Sequence, residues 1–174
     1  EDIFTDSPLP ISVKARLGVE TPEEFPKLLE IFNRYPICEL TLHPRVRKQF
    51  YEGTVDMEMF RFAWENSKNP ICYNGDILSM EDVQKLQKDF PGLEAVMVGR
   101  GLVADPGMLT VGTDKKQLQQ FMNALLEEYT VAFGGSRNAM FRLKEHWGML
   151  IRKFENGDKL WKALRKTTDI AEYR

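Results

Sequence analysis

Four short stretches place chemically capable residues directly after an apolar run: Val13-Lys14-Ala15-Arg16, Leu42-His43-Pro44-Arg45, Tyr73-Asn74-Gly75-Asp76 and Gly99-Arg100-Gly101. Together they supply cations, an imidazole, an amide and glycines. Gly99 and Gly101 let a backbone approach a phosphate closely, and Arg100 adds a fork of charged donors. Lys14 suits a polarised carbonyl or a developing anion. His43 can hydrogen-bond a ring or a phosphate, and Asn74 offers both a donor and an acceptor. The chemistry this points to is anion and flavin binding. Singly, each residue has an ordinary explanation: a solvated lysine, a bystander histidine, a tight Gly-Arg-Gly turn. The weight comes from four successive segments ending alike.

The elements that must position these residues are legible in the hydrophobic pattern. Ile11–Arg16, Glu39–His43, Ile71–Asn74 and Ala95–Gly99 read as strands, with starts 28, 32 and 24 residues apart. Their near-continuous apolar character predicts strands buried on both faces of a parallel sheet. Helical signals fill the gaps. Thr21-Pro22-Glu23-Glu24 reads as an N-cap, a proline at the first helical position and a capping-box glutamate. Asp56 precedes Met57, Phe60, Ala63 and Trp64; Ser79 precedes Val83, Leu86 and Phe90. The alternation predicts α/β architecture with right-handed crossovers.

After about residue 110 the strand signal stops. Asp114, Ser136 and Asp158 each open an amphipathic helix, and Gly134-Gly135 and Asn156-Gly157 punctuate them. Four βα units are too few for a (β/α)8 barrel of about 250 residues. The expected architecture is therefore α/β: the second half of a TIM barrel over residues 1–111, then an all-α domain over 112–174. On this reading the chain is a fragment. A complete open α/β sheet is the alternative.

Composition narrows the class. The 174 residues are 43% hydrophobic and 29% charged, which excludes disorder, collagen-like repeats and a disulfide scaffold. No apolar run approaches the roughly 18–20 residues that span a bilayer, so no membrane partner is expected. Cys38 and Cys72 have no metal-ligand spacing, no metal is expected, and reduced thiols point to a cytoplasmic protein. Residues 1–135 carry 14 basic and 21 acidic side chains, whereas residues 136–174 carry 10 and 5. A basic tail on an acidic body invites a polyanion partner. In the second helix Arg137, Lys144 and Arg152 recur at spacings of seven and eight, with Arg142 and Lys153 flanking them.

Val13-Lys14-Ala15-Arg16-Leu17-Gly18, Leu40-Thr41-Leu42-His43-Pro44-Arg45, Asn74-Gly75-Asp76-Ile77 and Val98-Gly99-Arg100-Gly101 stand in the order and spacing of the tRNA-dihydrouridine synthases. Arg142-Leu143-Lys144-Glu145-His146 extends the resemblance into the tail. It covers most of this chain and about the latter half of a family member. The resemblance implies an FMN barrel followed by a helical tRNA-binding domain. It implies that NADPH reduces FMN, which then passes hydride to C6 of a uridine extruded from tRNA while a cysteine protonates C5. Lys14 and His43 would contact the flavin and substrate pocket. Asn74, Gly75 and Asp76 would line its ribityl and phosphate side, and Gly99 and Arg100 would hold its phosphate. Arg45 would point toward RNA at the barrel mouth. The tail residues Arg137, Arg142, Lys144, Arg152 and Lys153 would contact tRNA.

Two positions depart from the family pattern. Pro44 stands where a glycine often follows the histidine, and Val46 where a threonine often follows the arginine. Proline removes a backbone donor there. Neither cysteine matches the family's catalytic motif, which lies in the first half of the barrel, so no catalytic residue is assigned here and the chain alone is expected to be inactive. Cys38 and Cys72 both read as small buried residues. The rival functions are another FMN- or phosphate-binding barrel oxidoreductase acting on a small molecule, and a non-catalytic RNA-binding module. The basic tail argues against the small-molecule enzyme.

Overall fold

A computed structural model describes residues 2–110 and 112–174, leaving out the side chains of Asp2, Asp6 and Arg152. By its internal packing the chain divides into two compact units: Glu1–Ile77 with Glu81–Val98, and Leu78–Met80 with Gly99–Arg174. The boundary expected at 111/112 falls on residue 111, which lies outside the described residues.

The first unit follows the βα alternation. After a short helix α1 (Asp2–Asp6), the order is β1 (Ser12–Arg16), α2 (Phe25–Phe32), β2 (Glu39–His43), α3 (Met57–Asn66), β3 (Ile71–Tyr73), α4 (Met80–Asp89) and β4 (Ala95–Val96). The four strands form one parallel sheet in the order β1-β2-β3-β4. Local chemistry sets the helix starts. The Asp56 carboxylate accepts from the Met59 N–H at 2.8 Å, satisfying a donor that helix geometry leaves unpaired. The Glu24 carboxylate accepts from the N–H groups of Val19, Glu20 and Thr21, which fixes the turn before α2.

One face of the sheet is the core. Leu17, Leu40 and Leu42 are fully buried, as are Phe25 and Phe60. The Phe60 ring packs edge-on against Tyr73 and Phe90, with centroids at 4.8 and 5.0 Å. The expectation of burial on both faces does not hold for β1, where Ser12 and Lys14 are exposed. Side chains alternate across a strand, and in β1 one alternate set is Ser12, Lys14 and Arg16. The strand is half apolar, not wholly apolar. Cys38 is likewise exposed rather than buried, because it precedes β2 instead of lying within it; Cys72, inside β3, is buried.

The second unit is helical: α5 (Arg100–Ala104), α6 (Lys115–Ala132), α7 (Ser136–Leu150), α8 (Gly157–Lys166) and α9 (Ile170–Tyr173). Asp114 caps α6 reciprocally with Gln117, as Ser/Asp-type caps do. Met122, Leu126, Ala139, Leu143 and Leu150 form its core, flanked by Leu118, Tyr129, Trp147 and Tyr173. The Trp147 indole N–H donates to the Tyr173 hydroxyl at 2.7 Å, so both polar tips are satisfied beside the core. The fourth strand, expected over Ala95–Gly99, stops at Val96, and Gly99 is the N-cap of α5.

Candidate functional site

Strand register assembles the site in the first unit. Lys14 lies opposite Thr41 and Arg16 opposite His43, and Thr41 lies opposite Cys72. Because neighbours in register share a face, Lys14, Thr41 and Cys72 form one row, and Arg16 with His43 the next row toward the carboxyl ends of the strands. On β2 and β3 this face is buried, at Thr41, His43 and Cys72, whereas Lys14 on β1 is exposed.

His43 is 4% exposed. Its pKa is pushed down to about 4, first by burial, then by the charges of Arg16, Lys14 and Arg45, against a weaker opposite pull from Asp76. The imidazole is neutral at pH 7, offering one donor and one acceptor nitrogen. Lys14 has its ammonium held below the usual lysine range by partial burial and then by Arg16. Arg16 donates through Nη1 to the Val46 carbonyl at 2.9 Å. Its Cζ lies 5.6 Å from the centroid of the Tyr51 ring, and that ring is 6.0 Å from His43. The Cys72 thiol is pushed up, chiefly by burial and then by Glu39, so it stays protonated. Two cations beside a neutral hydrogen-bonding ring suit an electron-rich or anionic planar group.

Arg45 does not point outward. It is 1% exposed, and its guanidinium grips Asp76 through Nη1–Oδ1 at 3.0 Å and Nη2–Oδ2 at 2.6 Å. It also donates to the carbonyls of Glu52 at 3.3 Å and Gly53 at 2.5 Å. The expected role toward RNA is therefore replaced by an internal one. Arg45 ties the loop after β2 to the loop after β3. Asp76 takes a positive φ of 44° in this arrangement.

Asn74 closes the other side: its side-chain N–H donates to the Met97 carbonyl at 2.8 Å, and its backbone N–H to that of Leu42 at 3.0 Å. Gly75 is required by packing. A Cβ there would stand 2.9 Å from Val55 Cγ1 and 3.1 Å from the Tyr73 hydroxyl. Gly99 and Arg100 belong to the second unit. A Cβ on Gly99 would meet nothing within 4 Å, leaving open space at its Cα, and Arg100 is exposed.

The basic residues of the tail separate by burial. Arg137 and Arg142 are exposed, with their guanidinium groups over the rings of Phe141 and Phe133 at 5.7 and 5.6 Å. Lys153 is paired with Asp105. The Arg152 side chain lies outside the described residues. Lys144 is 7% exposed and donates to the carbonyls of Thr167 and, at 3.4 Å, Arg165. It caps the carboxyl end of α8, where carbonyls attract a cation, and so is not part of an outward stripe.

Sequence reasoning passed over three features. Arg16 is two residues from Lys14, and period-two counting along β1 would have found it. Lys159, Lys162 and Lys166 recur at three and four residues on α8 and are all exposed, the spacing of one helix face. Tyr51 has no local signal, since only the loop path brings it to His43. Among the described residues no cluster of three or more His, Cys, Asp or Glu could hold a metal, and no helix is long and apolar enough to cross a membrane.

Comparison with known proteins finds one family. The family model for dihydrouridine synthases matches residues 3–173. A probable tRNA-dihydrouridine synthase of Rickettsia bellii is 35% identical over 174 residues, covering 92% of this chain and 53% of that protein. One from Rhizobium leguminosarum is 30% identical over 152 residues, covering 84% and 47%. A tRNA-dihydrouridine(16) synthase of Neisseria meningitidis serogroup B is 25% identical over 177 residues, covering 95% and 53%. The chain spans about half the length of the curated relatives it matches.

Proposed function

The chain belongs to the dihydrouridine synthase family, and from that premise we propose that the whole protein reduces a uridine of tRNA to 5,6-dihydrouridine. The observation that carries this is the pairing of Arg16 with His43 beside Lys14, two cations and a neutral imidazole on the polar face of a parallel sheet. The fold reading that goes with it is the second half of a TIM barrel, whose carboxyl-end rim holds the site, followed by a helical tRNA-binding domain.

The donor set fits FMN. Lys14 and His43 of the first unit would hold its ring system. When bound and reduced by NADPH, FMN supplies the hydride that C6 of the uridine accepts. Lys14 and Arg16 stabilise negative charge that builds on the pyrimidine as hydride arrives. His43, held neutral, hydrogen-bonds without adding a charge of its own. Asn74 and the Arg45–Asp76 pair fix the two loops that frame these groups. Neither cysteine is taken as the group that protonates C5: Cys38 precedes β2, at the end of that strand opposite to His43, and Cys72 is buried within β3. This reading takes the acid from outside residues 1–174.

The tRNA surface of the second unit is proposed to be Lys159, Lys162 and Lys166 on α8 with Arg137 and Arg142 on α7. The test is direct. The whole protein is incubated with an unmodified tRNA transcript, FMN and NADPH, and the nucleosides are analysed by mass spectrometry. A gain of two hydrogens on one uridine is expected. A transcript left unmodified by a protein that retains FMN and is supplied with excess NADPH overturns the reading.

A further inference from the structure

A guanidinium carries five N–H donors and no acceptor, and the buried Arg45 uses all five. Nε donates to the Glu52 carbonyl and one Nη2 hydrogen to that of Gly53. The other Nη2 hydrogen and one from Nη1 reach the two Asp76 oxygens. The donor left over, on Nη1, faces His43 Nε2 at 3.4 Å. Arginine keeps its charge and its hydrogens, so Nε2 is the side of the ring that accepts. A neutral imidazole that accepts at Nε2 carries its hydrogen on Nδ1.

The backbone makes this pairing rigid. The Arg45 N–H donates to the His43 carbonyl at 2.7 Å, closing a three-residue turn centred on Pro44. The φ of about −65° that a proline ring fixes is close to the φ of about −75° that such a turn needs. Pro44 is fully buried, and its carbonyl accepts from the Asp56 N–H at 2.8 Å. The arginine is thus folded back on the histidine two residues before it. Among the described residues Nδ1 meets no hydrogen-bond partner. None of their sealed side-chain nitrogens or oxygens is left unsatisfied. Nδ1 is therefore open to the site, although the residue is only 4% exposed.

We propose that Arg45 is a positioning residue that holds His43 in the Nδ1–H tautomer, so that the ring meets the flavin as a hydrogen-bond donor. The proposal rests on the FMN reading of this site and adds to it a basis for selectivity. Lys14 and Arg16 on the same face also carry donors only. The three groups together take an acceptor edge, a flavin carbonyl or unprotonated ring nitrogen, and turn away a ring N–H. The other tautomer would set Nε2–H against the guanidinium, donor against donor, and would offer the ligand a lone pair instead.

The experiment uses the whole protein, isotopically labelled at its histidine ring nitrogens, and two readouts. The first is long-range proton–nitrogen NMR at pH 7, where the ring is neutral; it shows which nitrogen carries the hydrogen. The His43 signals are those lost in His43→Asn. The second is FMN affinity, followed by flavin fluorescence. The parent is expected to show one tautomer at His43, protonated at Nδ1. Arg45→Met is expected to shift the ring toward Nε2–H, the form that an unconstrained imidazole prefers in water. The amide nitrogen of His43→Asn falls near the Nδ1 position, whereas the amide of His43→Gln falls near Nε2. His43→Gln is expected to bind FMN roughly 2- to 12-fold more weakly than the parent, the worth of one neutral hydrogen bond, and His43→Asn to lose less. The proposal is overturned if His43 in the parent is protonated at Nε2, if Arg45→Met keeps the Nδ1–H form as fully as the parent, or if His43→Gln retains FMN as well as His43→Asn. A parent with the Nδ1–H ring that takes up no FMN would sink the FMN reading while leaving the tautomer and its cause standing.

Discussion

Arg45 and Asp76 meet through two parallel N–H···O bonds, with one partner 1% exposed and the other 36%. That inequality matters more than the pair itself. Water can reach the carboxylate if the arginine goes, but it cannot reach the guanidinium if the aspartate goes. Removing one partner of a buried pair costs about 3–5 kcal/mol because it strands a charge.

Asp76→Ala should therefore destabilise the protein by about 3 kcal/mol or more, within the range for a stranded buried charge. Arg45→Met keeps the volume and leaves groups that can hydrate, so it should cost about 1–2 kcal/mol, nearer the net value of ordinary hydrogen bonds. Urea unfolding of the two variants decides the matter. Equal losses, or a larger loss for Arg45→Met, would mean the pair is not the anchor of the loops after β2 and β3.

His43 predicts an acid-side loss of stability. Its folded pKa, about 4, lies below the unfolded value of 6.5. Above pH 6.5 the group is neutral in both states and contributes nothing. As pH falls from 6.5 toward 4, the unfolded chain takes up a proton that the folded chain refuses. Stability should fall by up to about 1.4 kcal/mol per pH unit across that window and level off below it. His43→Gln should flatten this part of the curve. An NMR titration showing the His43 ring protonated at pH 6 would contradict the burial argument.

Lys144 and the α8 lysines should separate cleanly. Lys144→Met strands the carbonyls of Arg165 and Thr167 and should cost about 1–3 kcal/mol of stability, as the removal of charged hydrogen bonds does. It should leave the salt dependence of tRNA binding unchanged. Neutralising Lys159, Lys162 and Lys166 together should leave stability nearly as it was. It should also reduce the log–log salt slope by about 0.7–0.9 for each phosphate no longer neutralised. Filter binding across a salt series measures the slopes; the reverse pattern would return Lys144 to the RNA surface.

Gly75→Ala should destabilise the protein by about 1–3 kcal/mol, the usual cost of overpacking. The added methyl would press on Val55 and Tyr73 at 2.9 and 3.1 Å. Gly99→Ala has open space around it and should be nearly silent for stability. Thermal melts of the two variants give both answers. A tolerated alanine at 75 would show that the β3 loop can shift.

Most of the architecture was legible because its causes are local. The apolar runs at Glu39–His43 and Ile71–Tyr73, the Asp56 and Asp114 caps and the Asn156-Gly157 break act within a few residues of themselves. A sequence states such causes directly. The short β4 and the early start of α5 were less legible, because Ala95–Gly99 is equally apolar whether it stays extended or turns after Val96.

The sequence by itself determined the parallel βα order, the helical tail and the placing of Lys14 and His43 on strands, since hydrophobic period follows from residue type; the register that sets Arg16 beside His43 came from the sheet. The sequence did not determine which cations face outward. Arg45 and Lys144 look like surface charges in any window of neighbours. Arg45 is buried because the fold brings Asp76, 31 residues away, against it. Lys144 is buried because the end of α8, 23 residues away, offers it carbonyl oxygens. A long cation is buried only where oxygen partners replace its lost water, and only the tertiary structure supplies partners from so far along the chain.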